Sequence, residues 1–198
     1  MKRAMQFTAA IALAASLLGC SVGRDFVRPD LGSLSLGKTT YHEILQRFGS
    51  PREEGQVAKN DAIMKTANYA YSSTGAKPFV EGVTPARGLT FYFLDNDLVG
   101  WVFISSFAED HTDFDESKIN RIKKGATTKN NVVELFGRPG GVQKYPLIDS
   151  KEMDAYVWQY VQVKRSGLSL KAYIKQLKVT LGKNDLVADV EYSATGER

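Results

Sequence analysis

One constant offset constrains this chain more than its composition does. Moving the sequence by 88 residues lays Gly37 on Gly125, Thr39-Thr40 on Thr127-Thr128, Phe48-Gly49 on Phe136-Gly137 and Pro51 on Pro139. The same offset lays LTFYFLDNDLV (89–99) on LKVTLGKNDLV (177–187). An offset that holds at two such distant places marks a unit used twice.

Each unit reads as the same series of elements. Thr39 or Thr40 stands where an N-cap belongs, and Thr40 with Glu43 has capping-box spacing. Tyr41, Ile44, Leu45 and Phe48 fall on one helical stripe. Gly49 then supplies a left-handed stop and Pro51 prevents continuation. In the second copy Val132, Val133 and Phe136 keep the stripe, and Gly137 and Pro139 keep the stop. A shorter helix precedes each, around 27–36 and 116–124, the latter with Ile119 and Ile122 facing inward. Strands follow at 67–73, 87–94 and 98–106, and again at 155–165, 170–182 and 186–193. Asp95-Asn96-Asp97 and Lys183-Asn184-Asp185 are the matching turns. The predicted fold class is α+β: two tandem α-α-β-β-β repeats, 27–106 and 117–198, with helices on one face of an antiparallel sheet. Whether the two sheets are continuous is left open. FAEDHTDFDE (107–116) reads as an acidic linker; its carboxylates suit calcium, but a ligand-loop glycine is lacking.

The N-terminus carries a separate message. Lys2 and Arg3 precede an apolar run over 9–18, long enough for a secretory h-region and too short to span a bilayer. The run ends in Leu17-Leu18-Gly19-Cys20, which resembles the lipobox of bacterial lipoproteins. That resemblance implies a signal peptide at 1–19, cleavage before Cys20, lipid on Cys20, and a short tether at 20–26. Several acyl chains on one residue give stable anchoring. Ser21 follows the cysteine where inner-membrane lipoproteins typically carry Asp, which favours the outer membrane. Cys20 is the single cysteine, so the exported domain folds without disulfides and must rely on its core.

Charge narrows the partners. Residues 21–110 have 9 Lys and Arg against 11 Asp and Glu, and residues 111–198 have 15 against 11. Neither half is basic enough to argue for nucleic acid. The more basic second half reads as a solvated surface, with anionic lipid or cell-wall polymer as alternatives.

Taken together, Gly37, Thr39, Phe48, Gly49 and Pro51, their partners Gly125, Thr127, Phe136, Gly137 and Pro139, the Asn-Asp turn and the lipobox resemble the SmpA/OmlA (BamE-like) outer-membrane lipoprotein family. Two such domains in tandem are similar in plan to the β-lactamase inhibitory protein. These resemblances imply a non-enzymatic binding or scaffolding role, and carry over no partner site residue by residue.

The residues themselves offer little chemistry. The two histidines, His42 and His111, and the absence of a cysteine after Cys20 make a zinc site an unpromising reading. His42 becomes Asn130 in the second copy, and Thr40 and Glu43 already have a capping role. Asp95 and Asp97 flank an ordinary turn. No nucleophile elbow or P-loop appears. No catalytic residue, metal or cofactor is predicted.

Strand phase supplies the site expectation. Leu89, Phe91 and Phe93 are expected to face the helices and Thr90 and Tyr92 to face away, as Leu177, Val179 and Leu181 do against Lys178 and Thr180. In the last strand Ala188, Val190 and Tyr192 face in, and Asp189 and Glu191 face out. By the offset of 88, Trp101 and Phe103 take the outward places of Asp189 and Glu191. Tyr92, Trp101 and Phe103 are therefore expected to form an aromatic patch on the helix-free face, either binding a partner or packing against the other copy. The functional expectation is an outer-membrane, periplasm-facing lipoprotein, anchored through its N-terminal lipid, that binds an envelope protein through its sheet. The alternatives are an inhibitor-like clamp on a periplasmic or secreted enzyme, or a cell-wall or lipid-handling protein.

Overall fold

Thr40 and Thr128 each open a helix of eight residues, α1 (Tyr41–Phe48) and α2 (Lys129–Phe136). Each threonine accepts the amide of its N3 residue, and each N3 side chain returns the bond: Glu43 to the Thr40 amide at 2.7 Å, Asn131 to the Thr128 amide at 3.2 Å. Asparagine thus replaces glutamate without loss of the capping box. Gly49 and Gly137 end the helices at φ of 76° and 74°, a region open to glycine and costly for side chains.

The computed structural model describes residues 21–166 and 169–197; Cys20 and the signal segment 1–19 lie outside the described residues. The strands are β1 (Ser21–Val22), β2 (Glu53–Lys59), β3 (Ala62–Ser73), β4 (Ala86–Leu94), β5 (Asp97–Ser105), β6 (Gly141–Gln143), β7 (Asp154–Ser166), β8 (Ser169–Leu181) and β9 (Val187–Gly196). They form one antiparallel sheet in the order β1-β3-β4-β5-β6-β7-β8-β9, with β2 beside β1 on the outer edge of β3. Among the described residues no helix is long and apolar enough to cross a membrane.

The α+β expectation of tandem α-α-β-β-β repeats is overturned. The molecule is mostly antiparallel sheet with a few short helices. The expected helices at 27–36 and 116–124 shrink to 3-10 turns at Leu31–Ser33 and Glu116–Arg121. The chain after each helical stop enters a strand, β2 or β6, that was not anticipated. β6 is short, but it joins the two halves: Trp101 pairs with Val142, and Val142 with Tyr156. Gly140 and Gly141 permit this approach. A methyl on Gly140 would lie 2.7 Å from the Phe103 carbonyl oxygen, and one on Gly141 would collide with that of Trp101.

One row of directly opposed residues therefore crosses the sheet: Ala67, Phe91, Trp101, Val142, Tyr156, Val179 and Val190. Opposed residues share a face, so both helices lie over the same side. Ile44, Leu34, Leu89, Phe91, Phe93, Trp101 and Phe103 build the core of the first half; Val132, Phe136, Trp158, Leu177, Val179 and Val187 build that of the second. The other face of the first half is covered by the connection from β6 to β7. Its Leu147 packs with Met64 and Val99, in the notch left by Gly100, where a methyl would strike it. Asn60 Nδ2 donates to the carbonyl oxygens of Pro146 (3.0 Å) and Ile148 (3.1 Å), holding the cover down.

The segment expected as an acidic linker is built into the fold. Phe107, Thr112 and Phe114 are buried. Arg87, itself buried, engages Asp25 at 2.7 Å, Asp110 at 2.8 Å and Glu109 at 2.5 Å. Fully buried Lys175 pairs with Asp113 at 2.6 Å and Glu116 at 2.5 Å and donates to the Phe114 carbonyl. Burying such cations is costly unless they are paired, and here carboxylates stand against both.

Candidate functional site

The aromatic patch does not exist as a surface. Trp101 and Phe103 are fully buried on the helix side, opposite Phe91 and Leu89. Tyr92 does face away from the helices, but it packs half-buried against the cluster of Met64, Val99 and Leu147, and burial raises its pKa. The error has a definite cause. β4 and β5 are joined by a two-residue turn, Asp95 and Asn96, both at positive φ, with Leu94 opposite Asp97. β8 and β9 are joined by Lys183-Asn184-Asp185, with Gly182 donating to Leu186 and Asp185 at φ 58°. The second turn is one residue longer. Equivalent positions in the last strands are therefore 89 apart, and Trp101 corresponds to Val190 rather than Asp189. A slip of one residue exchanges the faces.

What the joined sheet offers instead is a groove of about 660 Å³ between its halves, on the helix side. Its apolar part comes from Leu34 and Leu36 before α1, Val133 of α2, Val142 of β6 and Tyr156 of β7. Its polar part carries both signs: Lys129 and Arg138 from either end of α2, Asp30 from the N-terminal segment, Asp154 from the start of β7. Lys129 Nζ donates to the Tyr156 hydroxyl at 2.5 Å and sits 4.4 Å from its ring centroid.

A reciprocal clasp fixes one wall. Arg28 donates to the carbonyl oxygens of Arg138 (3.0 Å) and Pro139, while Arg138 donates to that of Pro29 (2.8 Å) and stands 3.8 Å from Asp30. The N-terminal segment is thereby tied to the stop of α2. Burial foremost, then the neighbouring Arg138, brings the Arg28 pKa down to about 10, against the opposing pull of Asp110. None of the groove residues stands out as a site in the sequence: Val133 and Pro139 read there only as helix stripe and helix stop, and the rest belong to the seam between the halves. The signal that was present is the pair Gly140-Gly141, which marks close backbone approach.

The histidines have local roles. His42 meets Gln46 Nε2 at 3.0 Å on the exposed side of α1. His111 stacks on Phe79 with ring centroids 3.5 Å apart; burial lowers its pKa, opposed by Asp113 and Asp110. Asp95 serves the turn. Among the described residues no cluster of three or more His, Cys, Asp or Glu is placed to hold a metal ion.

No protein-family model matches the chain, and no curated protein matches it. Among solved structures a distant neighbour is a Streptococcus mutans protein provisionally named a β-lactamase inhibitor protein. It is 14% identical, with 82% of this chain and 91% of that one covered at a TM-score of 0.44.

Proposed function

We propose that this chain is a non-enzymatic binding protein of the bacterial envelope. Lipid on Cys20 holds it on the outer membrane facing the periplasm, and it grips a polypeptide segment of another envelope protein in the groove between its halves. The observation that carries the reading is the groove itself: a concave, partly apolar surface contributed by both halves, with cations and carboxylates on its rim. Such a surface fits an extended segment bearing apolar side chains and charges of both signs better than a small ligand, which needs deeper enclosure. A SmpA/OmlA-like place in envelope assembly accords with the lipobox and the helix-stop motif. An inhibitor-like clamp on a periplasmic enzyme would use the same surface and differ only in its partner.

The test is capture from detergent-solubilised envelope by the full lipidated chain and by Lys129→Glu, a change at the half-buried first residue of α2, where a carboxylate favours the helix dipole and can accept the Tyr156 hydroxyl that Lys129 now meets. Assembly components recovered by the parent and lost at least tenfold by the variant, at unchanged melting temperature, are the expected result. A single soluble enzyme in their place identifies the clamp. Identical recovery by both chains overturns the groove.

A further inference from the structure

The two halves treat the outer side of their last strand differently. In the first half that side of β5 is met along its length. The Lys144 amide donates to the Val99 carbonyl at 2.9 Å, the Phe103 amide to the Gly140 carbonyl at 2.7 Å, and the Ser105 amide to the Thr112 hydroxyl at 3.1 Å. The strand seated there is β6. With last-strand positions 89 apart, the matching outward positions of β9 are Ala188, Tyr192 and Ala194. β9 begins as β5 does: the Val187 amide donates to the Thr127 carbonyl at 2.9 Å, and the Gly125 amide to the Val187 carbonyl at 2.7 Å. Past Val187 the likeness ends. β9 is the last strand of the sheet, and among the described residues no strand lies beyond it.

This edge also lacks the usual protection. Proteins blunt a sheet edge with short strands, lysines or prolines. The opposite edge has such features, because β1 is two residues long and β2 seven, ending in Lys59. β9 runs ten residues, VADVEYSATG, with neither lysine nor proline. Its two carboxylates are neutralised within the chain, Asp189 by Lys124 and Glu191 by Lys178 at 2.9 Å. An added strand therefore meets no bare charge.

The sequence of the edge selects its occupant. Residues 125–127 cover Val187, so the open stretch runs from Ala188 to Gly196, and its midpoint is Tyr192. A two-fold axis at Tyr192, normal to the sheet, lays the whole stretch antiparallel on its own copy. Val190 then faces Ala194 of the second copy, Glu191 faces Ser193 and Asp189 faces Thr195, and no like charges are opposed. Moving the axis to Glu191 sets that carboxylate against itself, and moving it to Val190 sets Asp189 against Glu191. Both are disfavoured for the same reason.

We propose that β9 is the interface of a homodimer, in which two copies of this chain join edge to edge into one sheet of twice nine strands. The contact is isologous and closes on itself, leaving the blunted edges outside. Because the axis is normal to the sheet, both grooves lie on the same face. No groove residue takes part, so the dimer stands or falls apart from the groove's partner.

The test uses a photoreactive benzoylphenylalanine in place of Thr195, activated in the purified full chain and in envelope, with the linked peptides sequenced by mass spectrometry. The expected product is a dimer joining residue 195 to residues 187–191 of the second copy. Two further changes at the exposed Ser193 read the register at the concentration of half-maximal linkage. Ser193→Glu sets a carboxylate against Glu191 of the second copy and should cut the yield at least fivefold. Ser193→Lys should raise it at least twofold, both at unchanged melting temperature. Absence of a self-link overturns the dimer. Links only to a different protein overturn the choice of a second copy, and equal yields from the two variants overturn the proposed pairing.

Discussion

Leu98 and Val187 hold the same place in the two halves although they are 89 residues apart. The amide of Leu98 donates to the Thr39 carbonyl and its own carbonyl accepts the Gly37 amide; Val187 does the same with Thr127 and Gly125. Thr39 and Thr127, Gly37 and Gly125 are each 88 apart. One residue has entered the second half between its helix and its last strand, and the longer β8–β9 turn absorbs it.

That residue decides what happens at Trp101. A fully buried tryptophan facing Phe91 contributes packing that no neighbour can replace. Trp101→Ala is expected to cost about 3–5 kcal/mol in urea denaturation. A loss under about 1 kcal/mol would show the ring on a free surface after all.

β6 is the strand that joins the two halves into one sheet, with Val83 bridged to Lys164 nearer the β7–β8 hairpin. Gly141→Ala forces a methyl against the Trp101 carbonyl, so β5 and β6 must part. Hydrogen exchange should show the Phe103 amide, which donates to Gly140 at 2.7 Å, losing protection at least tenfold while amides of the β8–β9 pair keep theirs. Unchanged protection at Phe103 refutes the seam.

Buried and exposed ion pairs should part company. Asp113→Ala leaves Lys175 short of a partner in a site without water access, and about 3 kcal/mol of stability should go with it. Lys183 and Glu152, paired at 3.0 Å but 73% and 71% exposed, should tolerate Glu152→Ala within about 0.5 kcal/mol. Chemical denaturation of both variants makes the comparison.

The two capping boxes should respond differently to acid. Bonds from the Thr40 backbone foremost, then its hydroxyl, hold the Glu43 carboxyl below its ordinary pKa. A group depressed in the folded state supports it above the unfolded pKa, about 4.3 for Glu, and that support is lost as pH falls through the folded value. Asn131 does not titrate. NMR of the Thr40 and Thr128 amides from pH 7 to 2 should show a shift at Thr40 alone, abolished by Glu43→Gln. A matching shift at Thr128 would sink the explanation.

Much was legible in the chain by itself. Threonine caps, glycine-proline stops and the inward sides of β4 and β8 follow from interactions within a few residues and stand in the structure; the two turns stand in place but differ in length. The sequence also announced that these pieces recur. Three things waited for the tertiary structure. The direction of Trp101 and Phe103 hangs on the parity of a strand, which one extra turn residue inverts. The joining of the halves depends on three residues, Gly141–Gln143, whose pairing partners lie forty residues back in β5. The acidic segment 107–116 became structure because Arg87 and Lys175, distant in sequence, are buried against its carboxylates, with Asp25 as a further partner of Arg87. Local chemistry is written residue by residue, but a face, a seam and a buried charge exist only between segments that folding brings together.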